Sequence, residues 1–147
     1  MDSETLQKTS LIKPTIDTPF HIDFEWWREN DSNWRIFLLD FLCEKHRESF
    51  MDLEDNVLID VIDPESGEVA QVDGLSYELM NHCAKQEGFI TDSMVLTSRI
   101  FRIFLAKNNS PLSPKELQDM LNRPAQTILT MLTGPQVYKG IRPIRNS

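Results

Sequence analysis

The sequence predicts an α+β fold that is mainly helical, with one β-hairpin and a compact three-helix unit near the C-terminus. Two patterns carry the expectation. Apolar residues recur at helical spacing over 33–50, 75–87, 93–107, 114–121 and 124–133. Between the first two of these, the β-prone runs 57–62 and 69–72 flank a turn with Pro64 and Gly67. Proline presets one turn position and glycine accepts positive φ, so 57–72 reads as a hairpin.

The elements follow in order. Residues 1–19 are polar, contain Pro14 and Pro19, and read as a flexible lead-in. Residues 20–24 alternate apolar and polar and suit a short extended piece. Asp31 or Ser32 is a suitable cap for a helix over 33–50 carrying Trp34, Phe37, Leu38, Phe41 and Leu42. Residues 51–56 form an acidic connection to the hairpin. Asp73 opens a helix over 75–87 with Leu75, Leu79, Met80 and Cys83 on one face, and Gly88 ends it. After a Thr91/Asp92 cap, residues 93–107 form a strongly apolar helix. Ser113 and Glu116 make a capping box with Pro114 at the first helical position. That helix runs to 121, Pro124 restarts another to 133, and the tail after Gln136 suits a strand and turn. This organisation suggests three parts: 1–19, an acidic part over 20–90, and a basic unit over 91–147.

Charge divides the same way. The 147-residue chain has a net charge of −8, yet residues 97–147 carry eight Lys/Arg against two acids, a net +6. Residues 1–96 carry seven basic residues against 21 acids. An acidic average argues against nucleic acid, but a basic third separates one surface from that average. No apolar run reaches the roughly 20 residues that span a bilayer, and the start lacks a secretory leader. A cytoplasmic protein with no membrane partner is the expectation. Two cysteines make a disulfide scaffold implausible there.

The stretch Leu112 to Leu129, with its capped helix, tight Asn122-Arg123-Pro124 turn and second helix, resembles the winged helix-turn-helix superfamily. The likeness covers roughly residues 92–145. It implies that 124–133 enters a major groove while the preceding helix lies across the backbone. The spacing suits that role: Ala125, Ile128, Leu129 and Leu132 form an apolar stripe, and Gln126, Thr127, Thr130 and Thr133 lie opposite. Glutamine pairs with adenine, and threonine touches a thymine methyl or a phosphate. Lys115 and Arg123 sit near helix N-termini that also favour phosphate. Lys139, Arg142 and Arg145 are expected to form a basic wing. Only 11 residues follow Gln136, too few for a full two-stranded wing, and the reading face carries no Arg or Lys.

Four soft donors permit a second kind of site. Cys43 and His46 lie three apart on an expected helix and so share a face, while His82 and Cys83 lie on another. Zinc takes tetrahedral S/N ligation, and this set allows it, with His21 as a substitute for His82. The competing reading makes Cys83 a small core residue and His46 a solvated one. Trp26, Trp27 and Trp34 similarly serve either core packing or a dimer or partner interface. The acids of 52–68 do not follow a calcium-loop spacing. No nucleophile triad, paired carboxylates or glycine-rich phosphate loop stands out, so an enzyme is not expected. The functional expectation is a DNA-binding transcriptional regulator acting on double-stranded DNA, with an acidic sensing or dimerisation part. The alternative is a protein–protein adaptor or assembly subunit with no nucleic-acid role.

Overall fold

A computed structural model describes residues 13–51, 58–136 and 138–144. Strand β1 (Phe20–Ile22) leads into α1 (Phe24–Asn30), α2 (Trp34–Leu39) and α3 (Glu44–Met51). The hairpin strands β2 (Leu58–Ile62) and β3 (Val69–Asp73) precede α4 (Gly74–Asn81) and a 3-10 turn at Cys83–Lys85. Helices α5 (Leu96–Ala106), α6 (Pro114–Leu121) and α7 (Ala125–Leu132) and strand β4 (Ile141–Pro143) complete it. The fold is α+β with two small antiparallel two-stranded sheets, β1–β4 and β2–β3. No helix among the described residues is long and apolar enough to cross a membrane. Most of the expected lead-in, residues 1–12, and most of the acidic connection lie outside the described residues.

Capping chemistry sets several boundaries. Asp23 starts α1, its carboxylate accepting from Trp26 N at 3.1 Å. This helix is one the apolar spacing did not predict. Asp73 caps α4 as expected, accepting from Ser76 N at 3.0 Å. The Ser113/Glu116 capping box forms in both directions, at 3.0 and 3.1 Å. In the hairpin, Leu58 pairs with Asp73 and Ile62 with Val69, and Gly67 takes φ +75°. The Asp63 carboxylate accepts from Glu65 N and Ser66 N, which holds the turn and lowers its pKa.

Three expected helices change shape. The helix over 33–50 breaks after Leu39: Phe41 N and Leu42 N bond back only three residues, to Leu38 O and Leu39 O. Trp34, Leu38, Phe41 and Leu42 are buried at helical spacing, so the bend keeps one face on the core and does not follow from the apolar pattern. The helix over 75–87 ends at Asn81, because His82 takes a non-helical φ −127°, ψ −65°. The third begins at Leu96 after an extended Val95. Thr91 instead closes a turn, accepting from Met94 N.

The core gathers on Trp27, 1% exposed, which meets Trp34, Phe37 and Phe101 edge-on at 5.7–6.1 Å between ring centroids. Trp27 and Trp34 are thus core residues, and Trp26 is half-buried. One continuous cluster runs from Phe20 through Leu79 and Phe104 to Leu132 and Ile141. That cluster draws residues from both sides of position 90. Phe20 exchanges backbone bonds with Leu112 at 2.8 and 3.0 Å, and β1 pairs with β4 from Phe20↔Pro143 to Ile22↔Ile141. Asn109 adds a two-way bond to the Ile22 backbone, 2.8 Å each way. The first described strand is thereby built into the C-terminal unit.

Candidate metal centre

Cys43 lies immediately before α3, at the bend that splits the expected long helix, and its carbonyl accepts from Arg47 N to open that helix. His46 follows one turn later on the same face. The second pair comes from the end of α4. Adjacent side chains in a continuous helix diverge by about 100°. The non-helical backbone at His82 breaks that rule, and both His82 and Cys83 face Cys43.

The four donor atoms lie within 4.8 Å of one another. Cys43 Sγ is 3.2 Å from His46 Nδ1, 3.7 Å from His82 Nδ1 and 3.3 Å from Cys83 Sγ. Cys83 Sγ is 3.5 Å from His46 Nδ1. A tetrahedron built from ordinary zinc–sulfur and zinc–nitrogen lengths has edges of about 3.3–3.8 Å. Four of the six separations are close to those edges, and the two from His82 to His46 and Cys83 lie within 4.8 Å, so the set can close on one ion by an inward shift of the exposed His82. Cys83 is buried, Cys43 and His46 are half-buried and His82 is exposed, so the centre sits at the edge of the core. His21, the alternative ligand, is instead in strand β1, opposite Arg142.

His46 turns Nδ1 to the sulfurs, and its Nε2 lies 3.3 Å from Glu78 Oε2. A carboxylate on the far nitrogen fixes ring orientation and favours the proton there, leaving Nδ1 as the donor. Glu78 was not singled out in the sequence. Its signal is its place one turn before His82 on α4. Burial opposes ionisation of Cys43, but N–H groups at the start of α3 and the Cys83 thiol outweigh it and lower the pKa. Burial dominates at Cys83 and pushes its thiol up to about 11.

The expected DNA-contact residues divide into two sets. Lys115, Arg123, Gln126, Thr127 and Thr130 are all exposed on α6, α7 and the turn between them. The Thr130 hydroxyl donates to Gln126 O, and Gln118 Oε1 accepts from Ala125 N at the start of α7. The wing residues are engaged elsewhere. Lys139 Nζ sits 4.4 Å from the Phe37 ring centroid, and Arg142 pairs with Asp23 at 3.3 Å and stacks on Trp26. Both side chains are half-buried and contact groups of the fold, because β4 pairs with β1, which brings acid and aromatic groups beside it. Arg145 lies outside the described residues.

No protein-family model matches the chain, and neither a curated protein nor a solved structure matches it.

Proposed function

We propose that this is a zinc protein in which Cys43, His46, His82 and Cys83 hold one structural Zn²⁺. The observation that carries the reading is the convergence of four donors, two sulfurs and two imidazoles, within 4.8 Å of one another from segments about 40 residues apart. Four protein ligands close the coordination sphere, which suits a staple and leaves no place for an activated water. The staple joins the start of α3 to the end of α4, across a connection partly outside the described residues. Elemental analysis of purified protein tests it: about one equivalent of zinc is expected, and less than about a tenth of an equivalent overturns it.

A second reading, duplex DNA binding by the α6–α7 pair, rests on the uncovered polar face of α7. Gln126, Thr127 and Thr130 point outward beside exposed Arg123 and Lys115. With Lys139 and Arg142 engaged internally, few phosphates are neutralised. The salt slope of log K is then shallow, roughly −2 for two contacts. Arg123→Glu and Lys115→Glu should each abolish measurable binding at low salt. A folded protein that binds no duplex at low salt overturns this reading. A stoichiometric protein partner co-purifying without nucleic acid favours the adaptor alternative.

A further inference from the structure

The two cysteines of the centre differ in exposure, lie in near contact and open on a common cavity. Cys43 Sγ and Cys83 Sγ are 3.3 Å apart, against about 2.05 Å in a disulfide, so a shift of little more than 1 Å joins them. A cavity of about 230 Å³ is lined by both, together with Asp40, Phe41, Phe89 and Arg102. The Arg102 guanidinium is held between the Phe41 and Phe89 rings, 4.7 Å from each centroid, and donates to Phe89 O at 2.9 Å. It puts a fixed positive charge on the wall of the space that a small oxidant must enter. Two acids share that wall: Asp40, which is paired with Arg47 at 2.7 Å, and Glu87.

We propose that Cys43 and Cys83 are a peroxide-responsive thiol pair whose oxidation to a disulfide expels the metal. The inference rests on the zinc reading above. The half-buried Cys43 thiolate attacks one peroxide oxygen; the O–O bond breaks, Cys43 becomes a sulfenic acid and hydroxide leaves. The Cys83 thiolate then attacks the Cys43 sulfur, the S–O bond breaks and a second hydroxide leaves. Two thiolates give two electrons to one peroxide, and the ion keeps its charge. It loses both sulfur ligands and retains only two imidazoles. A dithiol reductant reverses the exchange. Cys43 is the attacking residue because it is the more accessible of the two; Cys83 is buried and resolves.

The test uses the full zinc-loaded chain and hydrogen peroxide at about one equivalent. Zinc release, followed with a chelating dye, and intact mass under non-reducing conditions are read together. About one zinc and about 2 Da should be lost in parallel, peptide mapping should join Cys43 to Cys83, and dithiothreitol should restore zinc binding. Zinc kept at stoichiometric peroxide overturns the inference. So does zinc lost with a gain of about 32 Da on one cysteine, or with chains cross-linked to each other. Arg102→Ala leaves every ligand in place and should slow release several-fold; an unchanged rate removes the role given to the cavity. A preparation without zinc overturns the zinc reading as well, whereas a zinc protein inert to peroxide overturns the inference alone.

Discussion

Glu78 and His46 meet across two helices, Oε2 to Nε2 at 3.3 Å, and the contact orients the imidazole whose other nitrogen faces both sulfurs. Glu78→Ala leaves the four donors and removes only this support. Metal affinity is expected to fall about 10–100-fold, as for other partners that hold a ligating imidazole. Competition against a chelator of known affinity measures it. Glu78→Gln, which still accepts a hydrogen bond, should recover part of the loss.

Arg142 ties β4 to α1 through Asp23 and the Trp26 ring. Half-exposed pairs and cation–π contacts are each worth about 0.5–1 kcal/mol. Arg142→Ala should therefore cost about 1–2 kcal/mol in denaturant unfolding. It should leave any duplex affinity unchanged, because the side chain is engaged within the fold. A loss of affinity without a loss of stability would restore the basic wing.

Gly140 holds φ +79°, and a Cβ there would lie 2.8 Å from the Trp27 Cβ. The left-handed backbone costs a non-glycine residue about 1–2 kcal/mol, and overpacking a core about 1–3 kcal/mol more. Gly140→Ala is expected to lose about 2–5 kcal/mol by equilibrium unfolding. Gly67→Ala has the same sign of φ but open space, so it should lose only the backbone part.

The Asp31 carboxylate accepts from Asn33 N at 2.9 Å and Trp27 Nε1 at 3.2 Å, and its pKa is lowered, chiefly by the Asn33 N–H. A depressed carboxylate stabilises the fold above the unfolded value near 4 and loses that contribution as pH falls through the folded value. Between about pH 5 and pH 2 the wild-type chain should therefore lose more stability than Asp31→Ala. Parallel unfolding curves across that range measure the difference; equal slopes for the two proteins would sink the assignment.

Local chemistry accounts for what could be read early. Asp73, Ser113, Glu116 and Pro114 act through neighbours three or four residues away, so their caps follow from spacing. The hairpin follows from Pro64, Asp63 and Gly67 for the same reason. The metal ligands were named by residue type, but adjacent His82 and Cys83 argued against a shared target. The backbone angles at His82 reverse that argument, and no residue type at 81–83 encodes them. The break after Leu39 was equally hidden, since 33–50 satisfies helical spacing on both sides of it.

By itself, then, the sequence determined the starts of α4, α6 and α7, the hairpin, the apolar faces and the inventory of donors and charges. All of these are set by interactions within a turn or two. Only the tertiary structure decided that Cys43 and His46 meet His82 and Cys83. It likewise decided that the basic tail closes on Asp23, Trp26 and Phe37, and that Phe20 belongs with Leu112 and Pro143. These pairings join residues from about 40 to more than 100 positions apart. Their register is chosen by the shared burial of Trp27, Phe101 and their neighbours, a property of the packed chain rather than of any segment of it.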